Sequence, residues 1–398
     1  MITPSVRARV ERLDAGELPA YIHDLAGLRA HVAGVRAALP ERVELYYAAK
    51  ANPAPEILAA LAGGVDGCEV SSGGELAHVR AHLPDTPLAF GGPGKTAAEL
   101  VTALDLGVER FHVESGHELR LLAALAARHA PDRDVDVLLR VNLPLGPEVL
   151  RGAALAMGGD PSPFGLDPDG VEACLGLFRG PDAGRLRLRG IHAHLASGLD
   201  ADTQVDVAGR VVAWSLALAD RHGVELHEVN VGGGMAVDYA NPADRFDWRR
   251  LGAGLDRILA GRPRLTLRVE PGRALTAYCG WYATEVLDVK HSHGEAFAIL
   301  RGGTHHLRTP AAKGHDQPFT VVAGTNPWPH PWPRPAVHDT HVTLAGQLCT
   351  PKDVLARHKP ITRLRAGDRV AFALAGAYAW NISHHDFLMH PHPTFHYV

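Results

Sequence analysis

The feature that most constrains the fold is a regular alternation of strand-like and helix-like segments over residues 21–273. Apolar runs such as VELYYAAK at 43–50 predict strands, and segments such as 117–130 predict helices. Alternation of this kind implies a parallel sheet whose strands are joined by helical crossovers. Counting a first strand near Tyr21 and a helix over 25–39, about eight β-α units fit, which is the number in a closed barrel. We therefore predict a (β/α)8 barrel over 21–273.

The pattern changes after Arg273, where helical periodicity fades. A Pro, His and Trp-rich stretch at 326–339 predicts an ordered loop. Short β-rich runs surround this loop, at 281–289, 319–323, 341–345 and 369–374. We predict a separate C-terminal β-domain over 274–398, with residues 1–20 packing on it.

Charge and cysteine content narrow the possible functions. The net charge is −4 and no basic block stands out, so we expect no nucleic-acid partner. Cys68, Cys174, Cys279 and Cys349 are too widely spaced for a C-x-x-C pair, and their scarcity favours a reducing compartment. The first residues lack the apolar core of a signal peptide, and no apolar run could span a bilayer. We expect a cytoplasmic protein with no membrane partner.

Chemistry-bearing residues recur where the predicted strands end, which is where a (β/α)8 barrel places its working residues. In chain order they are Lys50, Glu69, Arg140, His194, Ser197, Gly232–Gly234 and Glu270–Arg273. Gly232, Gly233 and Gly234 would let the backbone approach an anion closely, although a tight turn alone also explains them. Arg273 follows the next strand and adds a cation, so the two loops together favour a phosphate site.

Lys50 ends an apolar strand, and a lysine there is rarely without a partner. It could pair with a barrel carboxylate, or it could act as a Schiff-base nucleophile whose pKa is lowered by burial. Glu270 could close the barrel through a salt bridge, or it could hold a proton on the pyridine nitrogen of a cofactor. His194 could be a packed core residue, or it could lie flat against a cofactor ring beside Ser197.

Several motifs in chain order resemble the fold-type III decarboxylases that depend on pyridoxal 5′-phosphate (PLP), the group of ornithine, arginine and diaminopimelate decarboxylases. The motifs are YAAKAN at 47–52, CEVSSGGEL at 68–76, HVESGHEL at 112–119, HAHLAS at 192–197, VNVGGG at 229–234, EPGR at 270–273, GQLCTPKDVL at 346–355 and GAY at 376–378. Glu69 stands where this family usually has aspartate. The resemblance implies an alanine racemase-like PLP-binding barrel followed by a β-domain.

The resemblance also implies roles for individual residues. Lys50, Cys349, His194 and Glu270 would be catalytic, with Lys50 forming the internal aldimine and Cys349 entering the partner's site in a head-to-tail homodimer. The cofactor would be bound by Lys50, Glu69, Arg140, His194, Ser197, Gly232, Gly233, Gly234, Glu270, Gly272, Arg273 and Tyr378.

The cysteine block departs from the family pattern at the residue after Cys349. Decarboxylases of basic amino acids have Asp or Glu there, whereas this chain has Thr350, followed at a short distance by Lys352. Losing an anion and gaining a cation favours a substrate with a negatively charged distal part. Further candidates to bind that part are His305, His306, Arg308, His384 and His385. These histidines have no clean metal-ligand spacing, so we expect no metal.

The segments GGTHH, LCTPKDVLA and GAYAWNISHHDFLMHPHP resemble the siderophore-biosynthesis branch of the family. Enzymes of that branch decarboxylate a citryl-diamino-acid intermediate, as in staphyloferrin B assembly, and citrate would supply the anionic distal group. Two alternatives remain open. One is a decarboxylase of free diaminopimelate or of a basic amino acid, and the other is a non-catalytic regulatory homologue.

Overall fold

The computed structural model describes residues 2–146, 155–180 and 183–398. The chain separates into two compact units. The barrel unit comprises Arg29–Ala236 and Phe246–Leu275, and the sheet unit comprises Met1–Leu28, Val237–Arg245 and Thr276–Val398. The predicted domain boundaries at residues 20 and 273 stay a prediction. In the described part of the chain, no helix combines the length and apolar character needed to cross a membrane.

The strands are β1 Ala20–His23, β2 Val43–Ala48, β3 Gly67–Val70, β4 Leu88–Phe90, β5 Arg110–Val113, β6 Val135–Arg140, β7 Leu155–Ala156, β8 Leu186–His192, β9 Ala196–Ser197, β10 Glu228–Asn230, β11 Thr266–Val269, β12 Gly280–Ser292, β13 Glu295–Leu300, β14 Phe319–Val322, β15 Ala336–Ala345, β16 Val354–Arg365, β17 Arg369–Phe372 and β18 Thr394–Tyr397. The α-helices are α1 Pro4–Arg12, α2 Leu25–Ala38, α3 Pro55–Leu61, α4 Gly73–His82, α5 Ala97–Asp105, α6 Gly116–His129, α7 Pro168–Phe178, α8 Ala201–His222, α9 Trp248–Leu259, α10 Arg273–Thr276 and α11 Thr309–Lys313.

The barrel unit contains a closed barrel with the strand order β10-β11-β2-β3-β4-β5-β6-β8. All eight strand pairs are parallel, and β11 closes the barrel by pairing Leu267 with Val43 of β2. The strands are short and largely apolar because both faces of such a sheet are buried. The predicted architecture, a (β/α)8 barrel followed by a β-domain, is confirmed.

The prediction that the strand near Tyr21 opens the barrel is wrong. β1 instead pairs antiparallel with β12 and parallel with β18 in the sheet unit. Its side chains enter two separate cores of that unit, with Tyr21 packing in the cluster of Tyr282 and Ile22 packing in the cluster of Trp281. A short strand covered on both faces looks alike in either sheet, so periodicity could not assign it.

The sheet unit is built on an eight-stranded mixed sheet. Its main path is β14-β17-β12-β13-β15-β16, with β1 and β18 added at the side of β12. One core cluster lies around Tyr282, Phe372 and Leu344. The second lies under α1, where Val6 and Val10 pack with Trp281.

A largely buried network of ion pairs joins four barrel strands on the side where the strands begin. The side chain of Arg268 is 0% exposed, and its Nη2 lies 2.6 Å from Glu44 Oε2 while its Nε lies 3.3 Å from Glu228 Oε1. Arg110 Nε donates to the other oxygen of Glu228 at 2.9 Å. The Arg268 guanidinium also lies 3.7 Å from the ring centroid of Tyr46. The network cross-links β2, β5, β10 and β11 at the end of the barrel that normally serves stability.

We expect Arg268→Leu to lower the free energy of unfolding by about 3–5 kcal/mol, because it leaves the buried Glu228 with one cationic partner fewer. Chemical denaturation measures this change. Arg264→Leu is the matched control, since Arg264 pairs with Glu225 at 3.2 Å with side chains 83% and 58% exposed. The control should cost less than about 1 kcal/mol. Equal effects of the two substitutions would contradict a stabilising role for the network.

Candidate active site

Lys50 lies directly after β2, in the single helical turn Ala49–Ala51 at the C-terminal mouth of the barrel. Its Nζ donates to Glu69 Oε2 at 2.5 Å and to Ser71 Oγ at 3.1 Å. Ser71 Oγ in turn donates to Glu69 Oε1 at 2.8 Å. The lysine side chain is 45% exposed whereas that of Glu69 is 7% exposed. The amine therefore forms an ion pair with a barrel carboxylate, which is one of the two alternatives predicted for Lys50. It also remains accessible from the barrel mouth.

A second carboxyl group lies close behind this pair. Glu75, in the first turn of α4, accepts a hydrogen bond from the Ser71 backbone N–H at 2.6 Å. Burial, together with the nearby charge of Glu69, raises the pKa of Glu75 to about 7. The mouth therefore holds a lysine, two glutamates and a serine hydroxyl, which lie at the ends of β2 and β3 and in the first turn of α4.

Glu270 follows β11 and is buried, with 7% of its surface exposed. Asn230, the last residue of β10, donates through Nδ2 to Glu270 Oε1 at 2.6 Å. His112 Nε2 lies 3.8 Å from Oε1, and His192 Nε2 lies 3.6 Å from Oε2. Burial is the largest factor that lowers the pKa of both histidines well below the usual range. Among the described residues, the groups within ion-pair distance of Glu270 are therefore the two histidines and no lysine or arginine.

His112, His192 and Glu270 place three possible metal-ligand atoms within 4.8 Å of one another, the one such group in the described residues. The two imidazole rings are stacked, with centroids 4.2 Å apart and planes inclined by 17°. A ring nitrogen binds a metal along a direction in the plane of its ring. Nearly parallel stacked rings cannot both direct their lone pairs at one ion, so this geometry disfavours a metal centre.

The glycine turn after β10 passes very close to two neighbouring strand ends. A Cβ on Gly233 would lie 2.4 Å from the carbonyl oxygen of Glu270, and one on Gly234 would lie 2.2 Å from that of Ala196. Gly232 and Gly234 also have positive φ angles of 69° and 98°. The Gly232 N–H donates to Asn230 Oδ1 and the Gly233 N–H donates to His194 Nδ1. The turn is therefore held in shape by the barrel's own side chains.

His194 contacts the glycine turn, and its pKa is affected by the charge of Lys50. Burial lowers its pKa to about 3, and the positive charges of Arg140 and Lys50 act in the same direction. Its Nδ1 accepts from the Gly233 N–H at 3.2 Å, which requires the unprotonated nitrogen. The ring is a neutral imidazole, a suitable flat surface for another aromatic ring.

Of the other predicted barrel residues, Arg140 pairs with a buried carboxylate. Its Nη1 donates to the buried carboxylate of Glu114 at 2.6 Å, and that carboxylate also accepts from the N–H groups of Gly92 and Gly165. Ser197 lies in the two-residue strand β9, and Arg273 begins α10 directly after Gly272. Their roles with a cofactor stay predictions.

The cysteine block lies in the sheet unit. Cys349 is exposed, whereas Cys68, Cys174 and Cys279 are buried. The loop is organised by Asp353, which is 2% exposed and accepts from the N–H groups of Leu348 at 2.8 Å and Thr304 at 2.6 Å. It therefore ties the cysteine block to the segment that precedes His305.

The predicted substrate-binding residues of the sheet unit differ in exposure. Thr350 is partly exposed, and Lys352, Arg308 and His385 belong to exposed or partly exposed loops. His305 and His306 are 0% and 1% exposed. Burial lowers the pKa of His305 to about 4 and that of His306 to about 3. Burial also lowers the pKa of His384. His305 and His306 would therefore meet a ligand as neutral hydrogen-bonding groups.

Tyr378 also lies in the sheet unit. It has a positive φ of 47°, and its carbonyl accepts from Thr309 Oγ1 at 2.6 Å. A tyrosine in this backbone region is uncommon and marks a turn that the surrounding structure must hold. Its proposed contact with the cofactor stays a prediction.

His112, His192 and Asn230 do not stand out in the sequence, although all three lie close to Glu270. All three lie inside recognisable motifs, HVES, HAH and VNVGGG. Their strand positions predict only burial, and a buried histidine or asparagine is normally satisfied within the core. The contact with Glu270 depends on pairing between strands far apart in sequence.

Comparisons with known proteins identify relatives over the whole chain. A family model described as "Pyridoxal-dependent decarboxylase, pyridoxal binding domain" matches residues 25–277. The 2-[(L-alanin-3-ylcarbamoyl)methyl]-2-hydroxybutanedioate decarboxylase of Staphylococcus aureus is 40% identical, over 99% of this chain and 98% of that protein. The L-glutamyl-[BtrI acyl-carrier protein] decarboxylase of Niallia circulans is 30% identical, over 95% and 88%. The crystal structure of a point mutant of Helicobacter pylori diaminopimelate decarboxylase complexed with L-lysine is similar with a TM-score of 0.81 and 24% identity, covering 96% of this chain and 91% of that one.

The lowered pKa of His194 predicts a pH effect on stability. The folded pKa is about 3, against about 6.5 in the unfolded chain. The unfolded state therefore binds the extra proton first, and the stabilisation present above about pH 6.5 is lost as the pH falls toward 3. Urea unfolding measures the free energy of unfolding at each pH. Its decrease between about pH 7 and pH 5 should be about 2 kcal/mol smaller for His194→Asn than for the unmodified protein. Equal losses would mean that His194 titrates normally in the folded state.

Proposed function

We propose that this chain, which belongs to the pyridoxal-dependent decarboxylase family, removes the α-carboxylate of a citryl-diamino acid. The observation that carries the activity is the grouping of the Lys50 amine, the neutral His194 ring, the glycine turn and Glu270 on the strand ends of one barrel. The assignment of the substrate rests on the 40% identity, over nearly the full length of both chains, to an enzyme of that specificity.

The donor set of the barrel fits PLP. This cofactor presents an aldehyde, a pyridine nitrogen and a phosphate, and it needs respectively an amine, a carboxylate and an anion cradle. Lys50 is an accessible amine, Glu270 is a buried carboxylate, and the turn at Gly232–Gly234 allows the close approach that a phosphate requires. In addition, both ring nitrogens of His192 are buried without a hydrogen-bond partner among the described residues, at the side of Glu270.

When bound, PLP supplies an electron sink for the pair released as the carboxylate leaves as CO2. Lys50 would hold the aldehyde end of the cofactor through its amine. Glu270 would keep a proton on the ring nitrogen, and the burial of this carboxylate would strengthen that interaction. His194 would orient the ring from one face. Gly272, Arg273 and Ser197 would complete the binding of phosphate, and Glu69 would hold the Lys50 amine in position.

The last step returns a proton to the Cα from which CO2 has departed. We assign this step to Cys349 or to Lys50, because each carries an exchangeable proton. Cys349 is the exposed cysteine among four, as a residue that acts on a substrate must be. We further propose a homodimer with shared active sites, in which one subunit supplies Cys349 to the barrel of the other.

The distal part of the substrate would be recognised by the sheet unit. A citryl group carries carboxylates, and Thr350 together with Lys352 replaces the acidic residue that would repel them. Arg308, His384 and His385 would be further donors, whereas His305 and His306 are 0% and 1% exposed. The rival substrates are free diaminopimelate and the basic amino acids, whose distal ammonium groups lack an acidic partner at residue 350.

We expect Lys50→Ala to abolish both CO2 release from a citryl-diamino acid and the visible absorption that the protein gains with PLP. Lys50→Arg is the matched control, because it keeps a cation beside Glu69 but provides no amine nucleophile. It should therefore retain the thermal stability of the unmodified protein and still lose activity and absorption. Activity in either variant would overturn the assignment of Lys50, and absence of CO2 release from every substrate in the unmodified protein would favour a non-catalytic homologue.

We expect Thr350→Asp to raise KM for the citryl substrate roughly fivefold or more with little change in kcat, because one added like charge near the surface costs about 1 kcal/mol. Thr325→Asp is the control, since Thr325 is exposed in another loop of the same unit. Steady-state CO2 release measures both variants. An unchanged KM for Thr350→Asp, or gain of activity on diaminopimelate without loss on the citryl substrate, would contradict the assignment of the distal site.

A further inference from the structure

Asn230 connects the two loops to which the proposed function assigns opposite ends of the cofactor. The residue is 0% exposed and ends β10. Its Nδ2 donates to Glu270 Oε1 at 2.6 Å, on the loop after β11. Its Oδ1 accepts from the backbone N–H of Gly232 at 2.9 Å, in the glycine turn. One planar amide therefore fixes the distance between the carboxylate and the turn.

The orientation of the amide follows from its partners. The Gly232 N–H can only donate, so it must face the oxygen of the amide, and the nitrogen must then face the carboxylate. His112 Nε2 lies 3.4 Å from the same Nδ2, where it accepts the second amide hydrogen. Asparagine satisfies all three neighbours at once, because it offers an acceptor on one side and two donors on the other.

We propose that Asn230 is a positioning residue that couples the glycine turn to Glu270, so that the phosphate end and the ring-nitrogen end of the cofactor are bound as one unit. The inference rests on the proposed function and goes beyond it, since Asn230 itself touches neither the substrate nor the reacting atoms. A backbone hydrogen bond from Glu270 N to Gly232 O at 2.8 Å runs beside the amide and aligns the two loops, but it does not orient the carboxylate.

Two substitutions at residue 230 test the two hydrogen bonds of the amide, the one to Glu270 and the one from Gly232. Asn230→Ala removes both hydrogen bonds. Asn230→Asp keeps an oxygen for the Gly232 N–H but places a second carboxylate oxygen against Glu270 Oε1. Two carboxylates at that distance cannot both be ionised without strong repulsion, so they share a proton at low pH. The shared proton restores a donor between the two residues.

The test is titration of the apoenzyme with PLP, followed by absorption, at about pH 6 and about pH 8.5. Asn230→Ala should bind PLP about tenfold or more weakly at both pH values, as expected for loss of a buried hydrogen bond to a charged group. Asn230→Asp should bind nearly as well as the unmodified protein at the lower pH and at least tenfold more weakly at the higher one. Groups other than the new carboxylate also face this position, namely Glu270, His112 and His192, and the unmodified protein reports their own pH dependence.

Asn142→Asp is the matched control. Asn142 follows β6, and its Oδ1 also accepts from a glycine N–H, that of Gly159 at 2.6 Å, but its Nδ2 donates to the backbone oxygen of Asp160 instead of a carboxylate. Its PLP affinity should stay within about threefold of the unmodified protein at both pH values. Thermal unfolding of each apoprotein shows whether a variant has failed to fold.

The outcomes distinguish failure of the coupling role of Asn230 from failure of the proposed function. If folded Asn230→Ala binds PLP as the unmodified protein does, or if Asn230→Asp is equally weak at both pH values, the coupling role is overturned and the proposed function stands. If the unmodified protein itself binds no PLP, the proposed function fails and the coupling role fails with it.

Discussion

The pairing of β11 with β2 is the contact on which the candidate active site depends, because it closes the parallel sheet. Leu267 pairs with Val43, and the contact continues beyond the strands as a hydrogen bond from Ala48 N to Pro271 O. Lys50 follows β2, and Glu270 follows β11. Residues separated by more than half of the chain are thereby brought to adjacent positions at one mouth, and an open sheet would leave them at opposite edges.

The two ends of the barrel interior hold charge in different ways. Near the start of the strands, Arg268 and Arg110 neutralise Glu228 within a closed network. Near the end of the strands, Glu270 is surrounded by Asn230 and by histidines whose pKa values burial lowers well below the usual range. A carboxylate that has no lysine or arginine partner in the described part of the chain can form its ion pair with a bound molecule. The first arrangement suits stability and the second suits binding.

Much of this site could be predicted because its principal residues are unusual for the positions they occupy. A lysine at the end of an apolar strand and three consecutive glycines after another have few structural explanations, so Lys50 and the glycine turn stood out. Asn230 and His112 did not, since a buried polar residue in a strand reveals neither its partner nor its direction. The barrel membership of β1 was wrong for a related reason, because Tyr21 and Ile22 are buried on both faces whichever sheet they join. Partners between distant strands are set by three-dimensional closure, which local periodicity does not encode.

The unequal exposure of the four cysteines gives the chain a natural reporter. Cys349 is open to solvent in the isolated chain, while burial raises the pKa of Cys68 and Cys279 to about 12 and withdraws their thiols from reagents. A single maleimide or a fluorophore would therefore attach at one place without any engineering. If two subunits associate as proposed and cover that thiol, the rate of its alkylation at increasing dilution measures the strength of their association.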